Sequence, residues 1–364
     1  MKKFKFFFIT IFFGVIVISL IYYFQASKKP QVKIEPPKIE VLQTPQPVSQ
    51  ETAFLVNIPD EKILGPMSHD YQRWNNCGPV TAAMTLSLFG VQQSQSQAAL
   101  WLKPNGDDKH VSGEEMIWYL EQFGLKGQIR VGGNIQLIEA LLANDIPVII
   151  YDLLNDAEDI GHYRVMRGYN RKKQTLISND SYYGPQRKLS YSQFLKLWKP
   201  FNYKFIPVYK LEDEEKVRKI LGETYINDYK MYENSLQMTD RDLTANQNDV
   251  FALLNKAESL LGLAKFSEAK DAFEKAQSLG LPRRTLWYIT FPAKIYRELG
   301  EFDKVFELSE RVFASGAASS SEYYYERGLI YQAKNQKEKA KAEFNLALKY
   351  QPNYRLARQA LEKI

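Results

Sequence analysis

The hydropathy pattern opens with 19 uncharged residues, Phe6 to Phe24, long enough to cross a bilayer core as one helix. Lys2, Lys3 and Lys5 precede the run, and Tyr22, Tyr23 and Phe24 close it where an aromatic belt would sit. The run is long for a signal peptide, and Phe24-Gln25-Ala26 does not fit a small-x-small cleavage site. An uncleaved single-pass anchor is therefore expected, with a cytoplasmic stub at 1–5 and the remaining chain outside the cytoplasm; a cleaved signal would export the chain too. Residues 25–53 carry five prolines and no periodicity, which predicts a disordered tether.

Beyond it, 54–210 alternates between two periods. From Gly78 the small and apolar residues run as a buried helix, with Pro79 in its first turn and Gly90 as a stop. Ser112-Gly113-Glu114-Glu115 is a capping box opening a helix to about Phe123. Residues 134–144 form an amphipathic helix. Asp145–Tyr151, Gly161–Tyr169, Gln174–Ser178 and Pro207–Lys210 read as strands, the middle two joined by the polar turn Asn170-Arg171-Lys172-Lys173. The fold class expected is α+β, with helices against an antiparallel sheet. A charged, partly helical connector follows at 211–245.

From 246 to 364 the composition shifts to Ala, Glu, Lys and Leu, and a repeat emerges. Ala269, Val305 and Ala340 fall 36 and 35 residues apart. A period near 34 with two helices per unit indicates tetratricopeptide repeats, an all-α array. The units are about 250–283, 286–319 and 321–354. The third is the clearest, with Tyr324, Gly328, Tyr331, Ala340, Phe344, Ala347 and Pro352 in place. Such an array either binds a protein partner in its concave groove or buttresses its neighbour.

Charge and cysteine content narrow the chemistry. The net charge is +6, but residues 1–50 supply +5 of it. The rest is nearly neutral with no long basic block, which argues against a nucleic-acid partner. A single cysteine, Cys77, excludes an intrachain disulfide, and three histidines cannot build a Cys/His zinc repeat. No metal or cofactor is expected.

Cys77 falls at a helix N-terminus, where the dipole favours the thiolate and lowers the cysteine pKa. The alternative is a small buried hydrophobe. His162 is on the strand Gly161–Tyr169. If Tyr169 pairs with Gln174, His162 lies opposite Ser181, with Asp180 one residue away and Asn179 two. A one-residue change of register puts Asp180 directly opposite. Thiol, imidazole and an orienting third group make an activated nucleophile; a strand-edge histidine beside a turn aspartate is the plainer reading.

Gln72-x4-Cys77-Gly78-Pro79, then Gly161-His162-Tyr163, then Asn179-Asp180 before Tyr182-Tyr183-Gly184, resembles the papain-like cysteine peptidases of the bacteriocin-processing group: the double-glycine leader peptidases and their stand-alone, exported relatives. The resemblance covers about residues 65–205. It implies Cys77 as nucleophile, His162 as general base and acid, Asp180 as orienter of the histidine and Gln72 as oxyanion donor beside the Cys77 N–H. Asn179 is the second candidate for orienter. The leader peptidases usually carry Asp-Cys-Gly and a fused exporter; this chain has Asn-Cys-Gly-Pro, no P-loop, and Ser181 where Pro is frequent. Cleavage after a double glycine does not carry over.

The expected function is a membrane-anchored cysteine peptidase with a repeat domain for docking substrate or partner. The alternatives are an inactive adaptor working through its repeats, and an acyl transferase using the same residues. Trp74 is expected at the cleft or in the core; Trp101, Trp118 and Trp198 in the core or cleft wall.

Overall fold

The computed structural model describes residues 58–364. The expected membrane helix Phe6–Phe24 and the proline-rich tether lie outside them. Among the described residues no helix is long and apolar enough to cross a membrane.

The sheet domain runs β1 (Glu61–Ile63), α1 (Cys77–Ser87), α2 (Gln95–Leu102), α3 (Gly113–Glu121), β2 (Leu125–Gly127), α4 (Ile135–Ala143), β3 (Val148–Leu153), β4 (Gly161–Asn170), β5 (Thr175–Asp180), β6 (Gly184–Ser190), α5 (Tyr191–Trp198) and β7 (Phe205–Lys210). The sheet is antiparallel in the order β2–β7–β3–β4–β5–β6, with β1 also paired to β4. Local signals set the helix ends as predicted. Ser112 and Glu115 make both bonds of a capping box, and Asn134 caps α4 through the Leu137 N–H.

Alternation along the strands divides the core between two faces of the sheet. Ile149, Tyr151, Tyr163, Ile206 and Val208 pack towards α1–α3. Val148, Ile150, Met166, Leu176 and Phe205 pack towards α4 and α5. α1 is buried along nearly its whole length, so its apolar residues fill all faces rather than one stripe.

The connector is helical apart from a kink at Gly222. α6 (Glu214–Ile226) and α7 (Asp228–Ala245) place Val217, Ile220, Leu221, Tyr225 and Met231 in the second core, so they belong to the sheet domain's packing. The repeats follow as helix pairs: α8 (Val250–Gly262) with α9 (Phe266–Ser278), the short α10 (Thr285–Tyr288), α11 (Phe291–Glu298) with α12 (Phe302–Val312), α13 (Ser321–Ala333) with α14 (Lys337–Tyr350), then α15 (Arg355–Leu361). At Gly328 an added Cβ would sit 2.4 Å from the Phe344 ring, so the third pair closes only around glycine.

The array curls back onto the sheet domain and touches it at both ends. At the first repeat, Asn255 donates to the Lys199 carbonyl (2.7 Å) and Glu258 pairs with Lys204 (2.8 Å). At the far end, Gln351 and Asn353 donate to the Leu102 and Trp101 carbonyls (2.8 and 3.0 Å), and Arg355 pairs with Glu121 (2.6 Å). Apolar residues of both parts form one continuous core cluster. Each large side chain buried there contributes about 1.5–3 kcal/mol, so the two parts are joined as one folding unit rather than tethered. The inner helices α8, α11 and α13 face the sheet domain across a cavity of about 460 Å³. The concave face expected to receive a partner is turned inward.

Candidate active site

Cys77 is the first residue of α1. Its N-cap, Asn76, makes no side-chain cap bond, and Pro79 has no N–H, so the Cys77 and Gly78 amides at this helix end are not taken by a cap. Gly78 is closely packed: a Cβ there would stand 3.1 Å from Val111. The Cys77 sulfur lies against the backbone N–H groups of Gly78 and of Tyr163, the residue after His162. Burial pushes the thiol up, and these amides with the Lys103 charge only partly offset it. The lowered pKa expected from the helix dipole is corrected: desolvation outweighs the dipole.

His162 is on β4, 1% exposed, and its Nε2 is 3.3 Å from Asp180 Oδ1. With Nε2 engaged, Nδ1 is the nitrogen left for a reacting group. Among the described residues Cys77 and His162 share no direct hydrogen bond. Burial lowers the His162 pKa; the Asp180 hydrogen bond raises it, and Arg164 and Arg187 push it down again. At neutral pH the pair therefore rests as thiol and neutral imidazole.

Asp180 ends β5 and is held from every side. Oδ1 also accepts the amides of Tyr182 and Tyr183 (2.8 and 2.9 Å). Oδ2 accepts Arg164 Nε (2.6 Å) and Arg187 Nη1 (3.0 Å). Burial opposes its ionisation, but the His162 bond, the His162 and Arg164 charges and the Tyr183 amide hold it well below the usual carboxylate range.

The hairpin register differs from the one expected. Asn170 pairs with Thr175, and a bulge between Met166 and Gly168 shifts the ladder so that Val165 meets Asn179. Asp180 therefore reaches His162 diagonally, with Arg164 beside it. Asn179 is not the orienter: its Oδ1 accepts the Gln186 amide (3.1 Å) and its Nδ2 donates to the Ser68 carbonyl (3.1 Å).

Gln72 is tied to the next residue of the same loop. Its N–H donates to the Ser181 carbonyl and its Oε1 accepts the Ser181 hydroxyl, both at 2.8 Å. That fixes the amide and leaves Nε2 as an available donor.

Arg164 is the functional-site residue that sequence reasoning missed. Wholly buried, it joins Asp180 to Asp152, its contact to Asp152 being an ion pair, and it donates to the Leu153 and Leu154 carbonyls. Asp152 is directly across β3–β4 from His162 but is bound to Arg164 instead. The one available signal was the arginine's place two residues after His162, on the same strand face. Around the site, Tyr71, Trp74, Tyr182 and Tyr183 are exposed, Trp74 to 84%. Trp198 is core, whereas Trp101 and Trp118 meet the last repeat. Among the described residues no group of acids, histidines and cysteine is arranged to hold a metal.

Residues 47–206 match the model of the Peptidase_C39 like family, and residues 321–354 match the tetratricopeptide repeat model. Among solved structures, the peptidase domain of Streptococcus ComA is similar at 17% identity, over 40% of this chain and 98% of that one, with a TM-score of 0.33. A putative C39-like peptidase from Bacillus anthracis is similar at 14% identity, over 42% and 98%, with a TM-score of 0.35. YrrB, a tetratricopeptide-repeat protein, is similar at 20% identity, over 36% and 84%, with a TM-score of 0.20. No match was found among curated proteins. The chain thus carries a Peptidase_C39-like domain followed by tetratricopeptide-repeat structure.

Proposed function

We propose that the Peptidase_C39-like domain is a cysteine peptidase that hydrolyses peptide bonds with Cys77, His162, Asp180 and Gln72. The observation that carries this reading is the Asp180 carboxyl group, fixed by two arginines and two amides with Oδ1 on His162 Nε2. A carboxylate so held fixes the imidazole tautomer and stabilises the imidazolium that forms during reaction.

The steps follow from the resting protonation states. As Sγ of Cys77 attacks the scissile carbonyl carbon, His162 Nδ1 takes the thiol proton. The carbonyl oxygen becomes an oxyanion, stabilised by the Cys77 N–H and Gln72 Nε2. The imidazolium returns its proton to the leaving amine as the C–N bond breaks. Water, deprotonated by His162, then opens the thioester, releasing the carboxylate product and the thiol. Because thiol and imidazole both rest neutral, deprotonation accompanies attack, which is general-base catalysis rather than a preformed ion pair.

The exposed aromatics Tyr71 and Trp74, in the segment before Cys77, and Tyr182 and Tyr183, just after Asp180, offer a substrate apolar surface. The inward-facing array disfavours the adaptor reading, since its concave face is already turned to the peptidase domain. We further propose that Phe6–Phe24 anchors the chain with the peptidase domain outside the cytoplasm. Separating membrane and soluble fractions of the full chain and of a variant lacking residues 1–26 checks this: only the full chain is expected to sediment with membranes.

The test of the reaction is single substitution with a mixed peptide library as substrate. Cys77→Ala and His162→Ala are expected to abolish new peptide termini that the parent produces while each variant stays folded by circular dichroism. Turnover that survives Cys77→Ala would refute the reading.

A further inference from the structure

The loop joining the first and second repeats reaches the peptidase site and is clamped there from three directions. Arg284 meets Asp159, two residues before Gly161, with its backbone N–H on Oδ2 (2.7 Å) and its guanidinium on Oδ1 (2.6 Å). Trp287 Nε1 donates to the Ser315 hydroxyl of the second repeat (2.7 Å). The Leu286 carbonyl accepts the Tyr323 hydroxyl of the third (3.0 Å). These contacts present Tyr288, at the end of α10, to β4.

Gly161 immediately precedes His162. A Cβ built on it would stand 2.9 Å from the Tyr151 hydroxyl and 3.0 Å from the Tyr288 ring. Its φ is not in the left-handed region, so the glycine is required by these two rings rather than by its backbone. Burial raises the Tyr288 hydroxyl, and the ring packs against the same apolar cluster as Cys77. Tyr288 and Tyr151 also line the cavity between the array and the peptidase domain.

We infer that the repeat array is part of the substrate cleft: Tyr288 forms the cleft wall on the Gly161 side and sets how bulky a group can approach Cys77 from there. Tyr288 is thus a specificity-determining residue, and the Arg284–Asp159 clamp positions it. In substrate terms this rests on the peptidase reading: the peptide residue lying towards Gly161 must be small enough to pass the ring. An array that served only as a buttress would need no residue at this position.

The wall can be tested without peptide turnover, because Cys77 is the chain's single cysteine. The probes are iodoacetamide and N-(1-naphthyl)iodoacetamide, which share a reacting group and differ in bulk; the measured quantity is the ratio of their rates on the full chain. The parent is expected to discriminate against the naphthyl reagent. Tyr288→Ala should raise the naphthyl-to-small ratio about tenfold or more, a steric effect of the size of a lost side chain. Tyr288→Phe should keep the parent ratio, since the ring and not the hydroxyl is the wall. Arg284→Ala should give an intermediate ratio and serves as the second variant if Tyr288→Ala does not fold. An unchanged ratio in folded Tyr288→Ala, or in Arg284→Ala when that variant must stand in, overturns the inference. The peptidase reading fails separately, when the iodoacetamide rate itself is the same in parent and His162→Ala.

Discussion

Two buried acidic sites in this molecule meet the same desolvation and reach opposite charge states. Asp180, beside His162, receives two guanidinium groups, one imidazole and two amides, and stays ionised. At the seam with the third repeat, Asp108, Glu115 and Glu322 crowd around His110. Asp108 is 5% exposed and Glu322 15%. Burial, followed by the Glu322 charge, pushes Asp108 up to about 8, and the nearby Lys103 does not reverse it. Glu115 and Glu322 are likewise raised by burial. Burial pushes His110 down to about 3, so it is neutral and gives the carboxyls no cation; its Nε2 is 3.9 Å from Glu322. Burial alone neutralises an acid. Converging donors keep it charged, and a charged carboxylate both orients an imidazole and stabilises the imidazolium.

The sharpest way to break this contrast is to remove charge from the first site. Asp180→Asn is expected to lower kcat/KM by about 10²–10⁴-fold with binding little changed. It should also move the acid limb of the pH–rate profile. His162 titrates below its ordinary value, and Asp180 is what draws it upward. Losing that pull leaves Arg164 and Arg187 unopposed, so the limb shifts to lower pH. A limb that moves up would show that the arginines do not act on His162.

Removing a cation from the same site tests it as a structure. Arg164→Met leaves Asp152 and Asp180 buried with less compensation and should destabilise the fold by about 3–5 kcal/mol in denaturant unfolding. A loss within about 0.5 kcal/mol would mean that Arg187 and the amides suffice for Asp180. Gln72→Ala touches neither carboxylate and should cost about 10²–10³ in kcat, with the pH profile unmoved.

The second site gives the smallest effect, with a distinctive sign. Asp108 binds a proton in the folded chain well above the range where it does so unfolded, so its burial costs stability as pH rises towards 8. Below about pH 6.5 the lowered histidines, His110 and His162, act the other way, because the unfolded chain binds the extra protons there. Between pH 6.5 and 8 the carboxyl prevails. Asp152, which burial pushes up to about 7, adds to the fall, so stability should drop by at least about 1 kcal/mol per pH unit and Asp108→Asn should make that slope shallower without abolishing it. Unfolding midpoints at pH 6.5 and 8 decide it; an equal slope in the variant removes Asp108 from the explanation.

The two sites were unequally legible in the sequence. Cys77, His162, Asp180 and Gln72 stand in local motifs, and the hairpin that joins His162 to Asp180 follows from turn and strand patterns. Its register was not legible, because the bulge at Arg167 depends on packing outside the hairpin: the arginine turns to the Leu64 carbonyl, 103 residues away. Arg164 reads as an ordinary polar residue of an alternating strand; only its burial between two aspartates makes it part of the site. The thiol's charge state was misjudged because a helix dipole is visible in sequence and desolvation is not. Glu322 opens α13 and reads as a first-turn acid, while Arg284 falls between repeat units and Tyr288 at the start of the second. Their contacts bridge more than a hundred residues, and no period in the sequence reports them. The repeat pairs themselves were legible, down to the third at 321–354.

The central claim is that this site cuts peptide bonds through Cys77. The most direct measurement incubates the full chain, under reductant at pH 7, with a complex peptide library and identifies new termini by mass spectrometry, beside Cys77→Ala and Asp180→Asn. The account predicts a defined set of new termini from the parent, none from Cys77→Ala and the same set at a much reduced rate from Asp180→Asn. Identical termini from parent and Cys77→Ala, or none from a parent whose thiol reacts readily with iodoacetamide, would contradict it.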